Sequence, residues 1–227
     1  MRKIALFKDS LAFLLLMSAL CFGCNKDDNL FLVNDLDGNS YKTVKIGNQL
    51  WFAENLKVTK LNDGTLIPNV TDSLAWRNSI NPAYCWYNND EAQFKVTYGG
   101  LYNWYSVNTN KLCPSGWHVP TKAEWDTLKS FLGGYNDAGN KMKEIGTSHW
   151  TQTDSEVTNE SGFTGLPGGI IMSKGTCRSI GTDAYFWSST EYDLNYAWVF
   201  RLVTFSGTLS SFYPLKSGGT SIRCIKD

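Results

Sequence analysis

Pro120-Thr121-Lys122-Ala123-Glu124-Trp125 carries a helix start in a chain otherwise built for strands. Thr121 and Glu124 have capping-box spacing. The threonine hydroxyl can accept from the Glu124 amide while the glutamate carboxylate accepts from the Thr121 amide. Beyond it, Trp125, Leu128, Phe131 and Leu132 fall on one helical face, and Gly133-Gly134 supplies a left-handed exit. The pattern predicts a helix over about 122–132.

Outward from that helix the apolar period drops towards two. In Tyr196–Phe205, one face carries Tyr196, Trp198, Phe200 and Leu202. The other carries Ala197, Val199, Val203 and Phe205, interrupted by Arg201. A strand apolar on both faces belongs in the middle of a sheet. Ser221–Ile225 predicts a last strand containing Cys224, while Gly162–Gly169 and Trp187–Thr190 are short β-like pieces. Upstream, Tyr41–Ile46 and Gln49–Ala53 flank Gly47-Asn48 as a hairpin, after a turn at Asp35–Asn39. Residues 60–100 alternate aromatic pieces with polar turns and show no long helical period, and a short helix is expected from Leu101. Many short strands with one clear helix predict an α+β fold of twisted antiparallel strands.

The N-terminus reads as an address. Arg2, Lys3 and Lys8 precede the 13-residue apolar run Leu11–Gly23, which ends at Cys24. At about 1.5 Å per helical residue that run reaches ~20 Å, short of the ~30 Å hydrocarbon slab. It predicts a cleaved export signal over 1–23. Cleavage before Cys24 would leave an N-terminal cysteine, as in bacterial lipoproteins, although Cys21 stands where their signal usually has leucine. Asn25-Lys-Asp-Asp28 resembles the short acidic signal that sends such proteins to the outer face of the outer membrane. Residues 24–34 then form the lipid-bearing cysteine and tether, and a multiply acylated cysteine anchors durably where a single chain does not.

Residues 35–227 are long enough for one domain with its own core. The whole chain has 21 basic and 21 acidic residues, with no polybasic stripe to point to nucleic acid. Aromatics make up 14% of it, with nine tryptophans, a content that suits a β-rich core or a sugar-stacking surface equally. Beyond Cys21 and Cys24 stand Cys85, Cys113, Cys177 and Cys224. Four cysteines allow three pairings, and spacing does not choose among them. None of these four forms a Cys-x-x-Cys and neither His118 nor His149 neighbours a cysteine, so no structural zinc site is expected.

Tyr84-Cys-Trp-Tyr-Asn-Asn-Asp90, Leu101-Tyr-Asn-Trp-Tyr105, Leu112–Pro120, Gly162–Gly169, Trp187–Glu191 and Ser221–Asp227, in this order, resemble the Fibrobacter succinogenes major paralogous domain. The resemblance runs from about Asp35 to Asp227. It implies exported, often lipid-anchored proteins with a fold akin to the C-type lectin domain, and it supplies no agreed catalytic or binding residues. Because the first and last strands of lectin-like folds lie together, it also implies a Cys113–Cys224 disulfide, with Cys85–Cys177 as the remaining pair. His118–Trp125 further resembles a signature of sulfatase-modifying enzymes of the same fold. Those enzymes use a late copper-binding cysteine pair, whereas Cys177 and Cys224 lie 47 residues apart without the matching motif.

Candidate sites are few. Trp86-Tyr87-Asn88-Asn89-Asp90, with Glu91, is the nearest cluster of side-chain oxygens, and either ring could stack on a sugar, but the stretch reads first as a turn beside packed aromatics. The Glu-Pro-Asn type of motif used by calcium-dependent lectins is absent, so calcium is a possibility and not an expected cofactor. Asp35-Leu-Asp37-Gly38 has its glycine too early for an EF-hand and reads as a turn. His118 and His149, each beside a tryptophan, read as packed or loop histidines, and no nucleophile elbow, zinc helix or phosphate loop occurs. The expectation is a surface-anchored, non-catalytic binding or adhesion module for glycan or protein. The alternatives are an envelope assembly component and, less favoured, an oxidative enzyme of the formylglycine-generating type.

Overall fold

The computed structural model describes residues 31–152 and 156–227. The expected export signal, Cys24 and most of the expected tether lie outside the described residues. The chain opens with β1 (Leu32–Asn34), β2 (Ser40–Ile46) and β3 (Gln49–Phe52), then α1 (Ser73–Arg77), β4 (Tyr84–Cys85) and α2 (Glu91–Tyr98). It continues through β5 (Leu101–Asn103), α3 (Trp104–Val107), β6 (Trp117–His118), α4 (Lys122–Phe131) and α5 (Ala138–Met142). The remainder is strand: β7 (Gly168–Ile171), β8 (Cys177–Ile180), β9 (Asp183–Glu191), β10 (Ala197–Val203), β11 (Ser206–Phe212), β12 (Gly219–Thr220) and β13 (Ile225–Lys226). The class is α+β, as the sequence predicts.

Two sheets organise it. The smaller runs β1-β2-β3-β13-β6 and the larger runs β11-β10-β9-β7-β12-β5-β4, with β8 paired on β7. The expected hairpin forms, with Ile46 opposite Gln49 and Gly47 at φ +60°, the sign a two-residue turn demands at its first position. β10 lies between β9 and β11 and packs Ala197 and Val199 into one core cluster and Phe200 and Leu202 into another, which explains why it is apolar on both faces. The last strand departs from expectation. Ser221–Ile225 is not continuous: β12 ends in the larger sheet, β13 begins in the smaller, and the backbone between them crosses from one to the other. Along the crossing, Leu56 donates to the Ile222 carbonyl and Phe52 to that of Cys224, both at 2.9 Å.

The capping box on α4 forms as read, with Thr121 Oγ1 accepting from the Glu124 amide at 3.2 Å and Glu124 Oε2 accepting from the Thr121 amide at 2.7 Å. A cap of this kind stabilises a helix by about 1 kcal/mol. Trp125 and Leu128 are fully buried, and Trp125 stacks on Phe200 with centroids 4.9 Å apart. Phe131 is a correction to the expected face. It is 63% exposed and lies outside the core, its ring covering Gly47 instead. A further correction concerns Leu101, which opens a strand; the short helix starts three residues later, where the Asn103 side chain caps it.

Cys113 and Cys224 are joined, their Cα atoms 6.0 Å apart, tying the loop before α4 to the segment entering β13. Cys85 and Cys177 are free thiols, so the second pairing implied by the family is not made. Both belong to the cluster around Trp76, Tyr87 and Phe94, but Cys177 Sγ is engaged by the Asn88 amide, which donates to it at 3.3 Å. Burial raises both thiols above their ordinary pKa, so neither is poised as a nucleophile.

Candidate functional site

Trp86 and Tyr87, the rings that could have stacked on a sugar, are packed in the core as the turn reading has them. Trp86 is 1% and Tyr87 6% exposed, which removes the stacking surface proposed for them. The oxygens beside them are engaged locally. Asp90 caps α2 by accepting from the Gln93 amide at 3.0 Å, and the Asn89 amide donates to the Thr71 carbonyl. Asn88 and Asn89 sit at positive φ, where asparagine is tolerated better than most residues. These residues build a turn and a helix cap. Asp35 likewise serves its turn, accepting from the Asp37 and Asn39 amides and the Tyr41 hydroxyl, while Asp37 takes the Thr59 amide and pairs with Lys60. Among the described residues no three His, Cys, Asp or Glu side chains are grouped so as to hold a metal ion.

His118 does not stand alone. Its Nδ1 lies 2.7 Å from Asp227 Oδ1 and its Nε2 2.9 Å from Glu124 Oε1, so it latches the C-terminus to the cap of α4. Partial burial works to lower its pKa, but the hydrogen bonds to Asp227 and Glu124 outweigh it, and the net shift is upward from 6.5. A raised histidine pKa contributes stability that is fully present below pH 6.5 and is lost as pH rises through the folded value. Raising the pH from 6 to 9 is therefore expected to cost a little stability, below about 1 kcal/mol for pairs this exposed. In His118→Gln that slope should vanish; an unchanged slope in paired urea titrations would assign the effect elsewhere. His149 is held in a similar way, with Nδ1 2.8 Å from Glu144 and its ring edge-on to Tyr98.

Cavities are small. A groove of about 200 Å³ runs between Val33–Leu36 and Val58–Asn62, and one of about 190 Å³ lies beside Cys113 and His118. Both fall below the ~300–1,000 Å³ of ordinary small-molecule sites.

The surface offers something different at the join of β9 and β10. Tyr192 and Tyr213 stack face to face, centroids 3.7 Å apart and planes within 4°. Trp198 stands edge-on to both at 5.5 and 5.3 Å, and Tyr196 is perpendicular to Tyr213 at 6.4 Å. Pairing slips between Ala197 and Val199, a bulge of the kind that re-aims a side chain. Tyr192 remains 49% and Tyr213 43% exposed, and the adjoining Leu194 is 90% exposed.

The loop that carries these rings is fastened from beneath. Asp193 Oδ1 accepts from the Asn195 and Tyr196 amides at 2.8 and 2.9 Å, and the Tyr192 amide donates to the Tyr196 carbonyl. Lys216, 5% exposed, donates its ammonium to Glu191 and to the Leu194 carbonyl, and its amide to the Asn195 carbonyl. Its ammonium also sits 4.4 Å from the centre of the Trp104 ring. On the far side, Lys122 Nζ lies 5.0 Å over Trp198 and 2.6 Å from Asp126. Sequence reasoning missed this cluster because Tyr192, Trp198 and Tyr213 come from three segments. The available signal was the polar turn Asp193-Leu-Asn195 between two tyrosines.

The architecture defines an α+β domain of two curled, mostly antiparallel sheets, closed by its own C-terminal segment and carrying an aromatic surface patch. The chain belongs to the Fibrobacter succinogenes major domain family, whose sequence profile matches residues 44–226. No curated protein and no solved structure matches it.

Proposed function

We propose that the chain is a lipoprotein of the outer membrane, anchored through Cys24, whose folded part acts as a non-catalytic binding or adhesion module for a glycan or a protein. The address read from residues 1–28 supports the anchoring. The single observation that supports the binding role is the exposed aromatic cluster of Tyr192, Tyr196, Trp198 and Tyr213 on a loop held by Lys216. A rigid patch of amphipathic rings offers contact area at little ordering cost. The formylglycine-type alternative loses its late cysteine pair, because Cys224 is bonded to Cys113.

Two experiments test this reading. Cells expressing the full chain are fed a labelled fatty acid and then shaved with protease from outside. Label in the wild type but not in Cys24→Ala, with loss of the protein on shaving, is the expected result; unlabelled wild-type protein would remove the anchor. Separately, purified protein is applied to arrays of glycans and of envelope proteins. Saturable binding to a component of either array is expected, and none on both would sink the binding role.

A further inference from the structure

We infer that the stacked rings of Tyr192 and Tyr213 bind a neutral saccharide, packing against the apolar C–H face of a pyranose ring while Asn195 and Asp193 meet its hydroxyls. The inference rests on the binding-module reading above and gives it a site and a ligand class.

Four features converge on that chemistry. The exposed surface is aromatic, and an aromatic face attracts polarised C–H bonds through its quadrupole as it attracts other positive edges. Hydrogen-bonding capacity lies at its border. The Asn195 side-chain amide and the second oxygen of Asp193 have no partner among the described residues, since the loop uses Asp193 Oδ1 and the Asn195 backbone. A ligand with an apolar face and a hydroxylated edge matches both. Charge around the rings is largely cancelled, with Lys216 paired to Glu191 and Lys122 to Asp126. Lys129 shares Asp126 with Lys122, so with Asp193 the cations and carboxylates balance, and no excess positive charge draws phosphate or sulfate groups. Finally, the backbone hydrogen bonds of residues 192–196 and the Lys216 anchor fix the loop before any ligand arrives.

Sugars whose hydroxyls are equatorial leave both ring faces apolar, so they should bind best. A proline-rich peptide also stacks on tyrosines, but it asks for a slot between aromatic walls. Tyr192 and Tyr213 close directly on each other at 3.7 Å and leave no slot.

The test uses full-length protein in detergent, titrated with soluble neutral hexasaccharides of glucose, galactose, mannose and xylose. A sulfated oligosaccharide and a proline-rich peptide serve as comparison arms, and the readouts are calorimetry and tryptophan fluorescence, for which Trp198 is the reporter. At least one neutral hexasaccharide is expected to bind, unaffected by chelator. Tyr192→Ala and Tyr213→Ala should each weaken it about tenfold, the scale of one lost stacking contact, whereas Tyr192→Phe should stay within about twofold. Asn195→Ala should weaken it about fivefold, as for one lost hydrogen bond. Unfolding midpoints of the variants, expected to match the wild type at these exposed positions, separate lost binding from lost fold. Full-strength binding by both alanine variants overturns the site. Preference for the sulfated sugar or the peptide, or loss with chelator, overturns the ligand class while a binding module survives. Failure to bind anything on the arrays above would remove the parent reading as well.

Discussion

Replacing Arg223 with methionine is expected to lower folding stability by about 3–5 kcal/mol, a large share of the ~5–15 kcal/mol that a domain possesses. The guanidinium is fully buried at the crossing between the two sheets. Its Nε donates to Asn55 Oδ1 at 2.7 Å, Nη1 to the carbonyls of Phe52 and Phe163 at 3.0 and 2.6 Å, and Nη2 to that of Thr164 at 2.9 Å. Above and beside it lie the rings of Phe163 and Phe186, 4.4 and 5.6 Å from the cation. These hydrogen-bond acceptors are all uncharged oxygens, so the cation is held without an ion pair. Burial lowers its pKa to about 9, which still leaves it protonated at neutral pH.

Methionine matches the volume and supplies no donor. Three buried acceptors and the partly buried Thr164 carbonyl then lose a partner, at ~1–3 kcal/mol for each buried one before relaxation and water entry recover some of the loss. Arg223→Lys should recover part of the stability, since it restores a charge but offers one compact head where a planar fork is needed. Urea unfolding measures both. A loss below about 1 kcal/mol in the methionine variant would show that the carbonyls find other partners and that the arginine is dispensable.

Removing the Cys113–Cys224 bond is expected to cost about 2–5 kcal/mol. The bond closes a loop of 111 residues in sequence, and in the chain-entropy account loops of about that length are stabilised by ~4–5 kcal/mol. The Cys113→Ala, Cys224→Ala double variant is the informative one, because a single change leaves a thiol free to pair with Cys85 or Cys177. Its urea midpoint should fall well below that of the wild type, and reductant should move only the wild type. Matching midpoints would mean that the hydrogen bonds of β13 to β3 and β6 hold this corner unaided.

The parts of the fold legible in sequence were those whose signals are local. α4 declares itself through Thr121, Glu124 and an apolar stripe, and the β2–β3 hairpin through Gly47-Asn48. α2 was hidden because it buries only Phe94, so its eight residues show no stripe; its one local mark is the Asp90 cap. The disulfide came from family likeness, which spacing alone could not replace. Ring burial was the least legible property. Trp86 and Tyr87 allowed a stacking surface as well as a packed turn and are core, whereas Tyr196 and Trp198 read as strand interior and border the exposed cluster. Aromatic residues satisfy both environments, and only the pairing partner across the sheet decides between them. Arg201 shows the same ambiguity, an apparent break in an apolar strand that the structure resolves by pairing it with Asp183 at 2.8 Å.

The crossing made by residues 219–226 also sets an order of events during synthesis. β12 lies between β7 and β5, and β13 between β3 and β6, so both sheets are left divided until residues 219–226 are present. Arg223 and Cys224 arrive in the same short stretch. A chain cut short before residue 219 therefore lacks the piece that joins its halves and stays incompletely folded.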